Sequence, residues 1–228
     1  PSEAHEVIGH LKDAPDLFDV KMDYSATDCA ASRYTPEGSH EPVIDFLKTL
    51  TTKPVVGVGR FTSPDTMVGM IKRGVLDLIG GARPSIADPY LPIKIQEGRP
   101  EDIRECIGCN ICVSGDMTQG ISRCTQNTAF MEEWRKGWHP DRARPKGASE
   151  SVLIVGAGPT GLEAALQAAR RGYKVTLAEA TTTLGGRVAK ERLLPGLSAW
   201  GRVADYRTGQ MAVMPDVEIY RDSRLTPE

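Results

Sequence analysis

No apolar run in the chain approaches the roughly 18–20 residues that a membrane-spanning helix requires. No charge of one sign dominates either. Basic and acidic residues number 28 and 30, the net charge is −2 and the sequence pI is near 6.2, which argues against nucleic acid or an anionic membrane as the main partner. The opening residues, Pro1-Ser2-Glu3-Ala4-His5-Glu6, have neither the basic nor the apolar region of a signal peptide. There is no initiator methionine, and Leu225-Thr226-Pro227-Glu228 does not read as a closing element, so the expectation is a piece of a longer protein. Histidines are few and scattered, at positions 5, 10, 40 and 139, with no metal-ligand spacing among them. Of only five cysteines, Cys29 stands alone and reads as a small buried residue, while the other four fall in one stretch. Reduced thiols without any secretion signal point to the cytoplasm.

That stretch organises the rest. It runs Cys106-Ile-Gly-Cys109-Asn-Ile-Cys112 and, eleven residues on, Cys124. Three thiols at a three-residue spacing converge only if the backbone curls around one point, with the fourth arriving from a separate loop. This is how cysteine thiolates hold an iron–sulfur cube. Gly108 suits a backbone that must come close to cluster sulfurs. Zinc remains a competing reading, although zinc sites usually pair two separate Cys-x2-Cys knuckles. Disulfides would need an oxidising compartment.

Before the thiols, short apolar runs alternate with helical stretches. Leu17–Met22, Pro54–Gly59 and Leu76–Gly81 read as strands. Glu41–Leu50 carries apolar residues at a helical period. A further helix runs to about Arg73, with Ser63 as its N-cap and Pro64 at its first position. Strand–helix–strand units of this length imply parallel pairing and α/β architecture. Two strands end alike, in Gly57-Val58-Gly59-Arg60 and Gly80-Gly81-Ala82-Arg83. Glycine N–H groups beside an arginine fork make a phosphate cradle, and in (β/α)8 barrels the phosphate site sits at the loops after the last two strands. The bland alternative is an ordinary strand end with a solvated arginine. Asp28, in the loop after the first strand, could face a cationic substrate, but position alone also suits a solvated or capping aspartate. Three strands cannot close a barrel, and cut off they would expose apolar surface.

After the thiols, Trp134 and Trp138 fall one helical turn apart, which suggests packing, and residues 140–147 read as a linker. Then Ser151–Val155 runs into Gly156-Ala-Gly158-Pro-Thr-Gly161 and the helix Leu162–Arg171, and a second strand ends at Glu179. In a dinucleotide site Gly156 would make the tight turn, Gly158 would let the backbone approach the pyrophosphate, and Gly161 would allow close helix packing. Glu179 would accept from the ribose hydroxyls and repel a 2′-phosphate. Leu184-Gly185-Gly186-Arg187 adds a second glycine turn, either at the same nucleotide or a plain turn.

The order of phosphate-cradling strands, Cys-Ile-Gly-Cys-Asn-x-Cys, Cys-Thr-Gln-Asn, Gly-Trp-His-Pro and Val-Leu-Ile-Val-Gly-Ala-Gly-Pro resembles the iron–sulfur flavoprotein amine dehydrogenases. These are the trimethylamine, dimethylamine and histamine dehydrogenases, relatives of old yellow enzyme. The resemblance runs from about Asp16 to the end and is most specific from Ala82 to Asp88-Pro89 and on through Cys124. It implies an α/β chain in three parts. Residues 1–98 would be the C-terminal part of an FMN-binding (β/α)8 barrel, 99–150 a [4Fe–4S] segment and linker, and 151–228 the start of a Rossmann-like domain for ADP or FAD. It also implies that Gly59, Arg60, Ala82 and Arg83 contact the FMN phosphate side and that Cys106, Cys109, Cys112 and Cys124 ligate the cluster. The glycine loop, Glu179 and Arg187 would lie at the second nucleotide, and Asp28 would match the active-site aspartate. The implied activity is oxidation of a small amine, with electrons passed to an electron-transfer flavoprotein by a protein that is a homodimer at full length. The loop between Val20 and Ser32 lacks the tryptophan of an aromatic bowl around a methylated ammonium, which favours an amine other than trimethylamine; Tyr24 is a candidate substitute. Two other functions fit the same parts: an NAD(P)H-dependent enoyl reductase of the 2,4-dienoyl-CoA reductase type, and an electron-transfer module without a substrate of its own.

Overall fold

In the computed structural model, residues 2–22, 31–118 and 120–226 are described. Helix α1 (Ser2–Leu11) precedes a three-stranded sheet of β1 (Phe18–Val20), β2 (Val55–Gly57) and β3 (Leu78–Ile79). The order is β1-β2-β3 and both pairings are parallel, with Phe18 opposite Val55 and Val56 opposite Leu78. Each strand is a short apolar run, and β2 is linked to β3 by α4 (Pro64–Lys72). Phe18, Val55, Met67, Met70 and Leu76 form the centre of a core that also takes in Leu91 and Ile103 from beyond the sheet.

Two local expectations are modified in the fold. The helix expected over Glu41–Leu50 is split into α2 (Glu41–Ile44) and α3 (Leu47–Leu50). The backbone N–H and the hydroxyl of Thr49 both donate to the Phe46 carbonyl, an i→i+3 closure that tightens the chain there. Ile44 and Leu47 are nevertheless both buried. Ser63 occupies the N-cap of α4, yet its hydroxyl makes no capping bond. Glu37 instead braces the approach to the helix, with Oε2 accepting from the Thr62 and Ser63 N–H groups at 2.8 and 3.0 Å. A full negative charge suits the positive end of a helix better than a hydroxyl does.

Helices α5 (Ala82–Ala87) and α6 (Leu91–Gln96) lead into the cysteine segment, which carries α7 (Ile111–Met117) and α8 (Glu133–Lys136). Gly137 ends α8 in the left-handed conformation, so Trp138 lies past the helix, and Trp134 is 81% exposed. The two tryptophans therefore do not form a packed pair. Behind this segment sits a buried charge network. Asp88 is fully buried and accepts from Lys94 Nζ, Arg104 N and Tyr90 N at 2.7, 2.9 and 3.0 Å. Lys94 also reaches Asp141 at 2.9 Å, which pins the stretch expected to be a free linker.

The second sheet is β4 (Val152–Val155), β5 (Val175–Ala178) and β6 (Val217–Tyr220), again all parallel. Helices α9 (Pro159–Arg170) and α11 (Arg202–Ala212) supply Leu162, Ala165, Leu166, Ala204 and Met211 to its core, and α10 (Arg187–Glu191) lies between them in sequence. Leu153, Val155 and Tyr220 are exposed. No described helix is long and apolar enough to cross a membrane.

Candidate functional site

The ends of β2 and β3 open onto a cavity of about 430 Å³. One wall is Arg60, Gly80, Gly81, Ala82 and Arg83; the other is Cys112, Val113, Ser122 and Phe130 from the cysteine segment. Arg60 sits in the left-handed region at φ 57°, a conformation that costs a non-glycine residue of order 1 kcal/mol. Its Nε is buried without a hydrogen-bond partner. Burial lowers its pKa, as do Arg83 and Arg202 nearby, against the pull of Glu37 and Cys106. A strained arginine with an orphaned buried N–H beside a second arginine fits an anionic ligand group. Gly59 is buried against the backbone of Gly38, whose N–H donates to its carbonyl at 2.8 Å, so it shapes the strand end without facing the cavity. Arg83 is held on the far side. Its Nη1 donates to Asn110 Oδ1 at 2.6 Å and to the Ala31 carbonyl.

Asn110 belongs to the cysteine loop, which is built to curl. Gly108 and Asn110 both have positive φ. A Cβ on Gly108 would stand 3.0 Å from Arg60 Nη1 and 3.2 Å from Arg33 Cα, so only glycine lets the loop lie this close to the two arginines. Cys106, Cys109, Cys112 and Cys124 line one void together with Arg83, Ile86 and Gln126. They are near enough that each thiolate would repel others: Cys106 feels Cys124 and Cys109, and Cys124 feels Cys109 and Cys112. Burial pushes Cys106 up to about 11, and it raises Cys112 and Cys124 as well. Against this, backbone N–H groups face the sulfurs: Gly108 to Cys106, Val113 to Cys112, and Asn127 and Gln126 to Cys124. Cys109 Sγ is hydrogen-bonded with Thr125 Oγ1 at 3.1 Å. Among the described residues no three His, Cys, Asp or Glu side chains converge tightly enough for a single metal ion. Four cysteines around one void, with backbone N–H groups facing the sulfurs of Cys106, Cys112 and Cys124, form a donor set of the kind that holds zinc or an iron–sulfur cluster.

The glycine loop lies between β4 and α9, at the opposite end of the described chain. Gly156 has φ 92°, and Gly158 is the N-cap of α9 with φ −70°. A Cβ on Gly161 would meet the Gly156 carbonyl oxygen at 1.9 Å, a contact with backbone that no rotamer can relieve. Glu179, at the end of β5, accepts from Ala157 N through Oε2 at 2.8 Å and from Thr181 N through Oε1 at 2.9 Å. The Ala157 bond is the largest influence holding its carboxyl below the usual range. The second glycine turn docks on the first, with Gly185 N donating to Ala157 O at 2.7 Å. Arg187, however, is 85% exposed and paired with Glu191 at 2.6 Å, as the i,i+4 spacing on α10 allows. Asp28 lies outside the described residues.

Two arginines of α11 were not singled out from the sequence. Arg202 Nη1 donates to the Cys106 carbonyl at 2.8 Å, and its Nε pairs with Glu105 at 2.6 Å. Burial raises the Glu105 carboxyl in spite of that partner. Arg207, only 2% exposed, donates to Glu163 Oε2 at 2.7 Å and to Gln126 Oε1 at 2.9 Å. The one available signal was Gln126, which directly follows Cys124-Thr125.

Comparison with known proteins agrees with this geometry. Residues 6–102 match the NADH:flavin oxidoreductase / NADH oxidase family, and residues 151–212 match the FAD dependent oxidoreductase family. The dimethylamine dehydrogenase of Hyphomicrobium sp. (strain x) is 48% identical over 200 residues, which is 86% of this chain and 27% of that protein. The structure of histamine dehydrogenase from Rhizobium sp. 4-9 is 62% identical with a TM-score of 0.94, covering 99% of this chain and 33% of that one. The structure of 6-hydroxypseudooxynicotine amine oxidase from Pseudomonas geniculata N1 is 56% identical with a TM-score of 0.93, covering 98% and 34%. The chain thus spans about a quarter to a third of the length of these relatives. Parallel α/β sheets, arginine-lined strand ends, convergent thiols and these likenesses lead to one conclusion: the chain belongs to the amine dehydrogenase family of flavin-dependent oxidoreductases.

Proposed function

We propose that this chain is the part of an amine dehydrogenase that holds the flavin phosphate, an iron–sulfur cluster and a second nucleotide. The observation that carries the reading is a shared wall: Arg83, Ile86 and Cys112 line both the cavity at the strand ends and the void among the thiols. A flavin in the first would stand directly against a cluster in the second. Arg60, Arg83 and the backbone of Gly80–Ala82 would bind the FMN phosphate side, with Gly59 setting the turn. Cys106, Cys109, Cys112 and Cys124 would ligate [4Fe–4S], oriented by the N–H groups that already face their sulfurs. Gly156, Gly158 and Gly161 would receive the pyrophosphate of ADP or FAD at the start of α9, and Glu179, held in place by Ala157 N, would take the ribose. Arg187 would reach that nucleotide only by leaving Glu191. Asp28 is the candidate for the carboxylate that faces the amine.

When bound, FMN supplies the two-electron oxidation of the amine and the cluster supplies one-electron relay to an acceptor such as an electron-transfer flavoprotein. The protein's own part is to orient these groups, keep water from the shared wall and hold charges near them. A homodimer is the expected assembly of the whole enzyme. The three-part layout, with a barrel-derived unit at 1–98, the thiol segment at 99–150 and a Rossmann-like unit at 151–228, is supported by the two parallel sheets and by the separate family matches on either side of the thiols.

The test is an anaerobic titration of the protein with small secondary and primary amines and, separately, with NAD(P)H, following flavin bleaching and the EPR signal of the reduced cluster. Bleaching by an amine with a paramagnetic cluster, and none by NAD(P)H, is expected. Reduction by NAD(P)H alone would replace this reading with an enoyl reductase.

A further inference from the structure

Arg207 is among the most deeply buried of the described charges, and from the nucleotide-side unit its guanidinium reaches Gln126, two residues after Cys124. Its guanidinium uses three nitrogens. Nε donates to Glu163 Oε2 at 2.7 Å, Nη1 to Gln126 Oε1 at 2.9 Å and to the Val203 carbonyl at 2.8 Å, and Nη2 to the Gln126 carbonyl at 3.4 Å. Gln126, itself 2% exposed, is thereby gripped by side chain and backbone together. Its Nε2 in turn donates to the carbonyl of Glu105, the residue before Cys106, at 3.0 Å. Its backbone N–H faces the Cys124 sulfur. One arginine therefore fixes the chain just before the first thiol and just after the fourth. Glu163, on α9, supplies its counter-charge and is held by Gln167 Nε2 at 2.9 Å and Thr128 Oγ1 at 3.2 Å.

We propose that Arg207 and Glu163 are positioning residues that set the reduction potential of the cluster through Gln126. This rests on the reading of the four thiols as cluster ligands. The step concerned is addition of one electron, delivered by the reduced flavin, with no bond made or broken; the cluster gains one negative charge. A buried cation and an N–H aimed at a ligating sulfur both favour the reduced state, and an anion beside that cation opposes it. The pair thus acts in opposite directions on one equilibrium, and the unit that binds the nucleotide takes part in tuning the cluster.

The test is an EPR-monitored redox titration of the purified protein and of two variants. Arg207→Met should make the cluster about tenfold harder to reduce, equivalent to about 59 mV for one electron. Glu163→Gln, which keeps the shape of the side chain and removes its charge, should make reduction several-fold easier. A merely structural role would change cluster retention without moving the potential in opposite directions. Shifts of the same sign, or potentials unchanged in both variants, would overturn the proposal. If Arg207→Met fails to fold or to retain a cluster, Glu163→Gln decides alone, since an unmoved or lowered potential overturns it. Iron and sulfide content of the unmodified protein separates the two levels. Absence of a cluster there overturns the functional reading and this inference together, whereas a cluster indifferent to both substitutions overturns only the inference.

Discussion

Alanine substitution at two glycines of one loop should have different consequences, because the structure gives their missing side chains different surroundings. On Gly161 a Cβ would lie 1.9 Å from the Gly156 carbonyl oxygen and 3.1 Å from its carbon. An ordinary carbon–oxygen contact is about 3.2 Å, so loop and helix must part by more than about 1 Å, with no side chain able to yield. Overpacking of this kind costs about 1–3 kcal/mol and belongs at the upper end when backbone is the obstacle. Alanine returns about 1 kcal/mol through its better helix propensity. The net is about 2 kcal/mol, or roughly 4–8 °C in the unfolding midpoint for a protein of this size. On Gly158, by contrast, φ is −70° and a Cβ would meet nothing within 4 Å. Gly158→Ala should therefore leave the nucleotide-free protein as stable as before. Its methyl group points where the pyrophosphate would approach, so ADP affinity should fall at least tenfold. Thermal unfolding and calorimetric ADP titration of both variants give four readings. Gly161→Ala should lose stability and binding, and Gly158→Ala binding alone. Equal destabilisation by the two, or full ADP affinity in Gly158→Ala, would refute the assignment of this loop.

Asp88→Asn removes one partner of a fully buried pair, which ordinarily costs about 3–5 kcal/mol; because Lys94 retains Asp141 at 2.9 Å, the loss should be about 3 kcal/mol in urea denaturation. Asp141, whose side chain is 24% exposed, should matter less, and equal effects of Asp88→Asn and Asp141→Asn would contradict the network described. The lowered carboxyl of Glu179 stabilises the folded state above the unfolded value near 4.5, and that contribution is lost as pH falls through the lower folded value. Unfolding midpoints of the natural protein and Glu179→Gln should thus differ at pH 7 and converge as the pH is taken progressively below 4.5; parallel pH profiles would show that the Ala157 and Thr181 contacts carry no weight. Arg60→Gly should relieve the left-handed strain at φ 57° while weakening flavin retention, so unchanged flavin content after dialysis would remove Arg60 from the phosphate site.

Local pattern carried the sequence reading a definite distance. Short apolar runs located five of the six strands, β1 to β5, while β6 went unrecognised, and the βαβ spacing implied parallel pairing, because such patterns depend on residues adjacent in the chain. The first three thiols and the glycine loop stood out for the same reason, since their spacing is local, whereas Cys124 reaches the same void through the fold. Strand lengths came out shorter than read, Glu41–Leu50 broke in two, the Ser63 hydroxyl made no capping bond while Glu37 held the Thr62 and Ser63 N–H groups, and Trp134 proved exposed. The Glu37 contacts come from a residue distant in sequence, the break from an i→i+3 closure between Phe46 and Thr49, and the separation of the tryptophans from the chain's exit from a helix at Gly137. The same holds for the site. Nothing in the composition distinguishes Arg202 and Arg207 from the chain's other arginines, yet folding carries them 96 and 81 residues back along the sequence to Cys106 and Gln126. The candidate cofactor residues stood out in the sequence because glycine, cysteine and arginine impose their chemistry locally. Which charges lie beside those candidate residues was decided only by tertiary structure, because a long charged side chain finds its partner through the packing of helices.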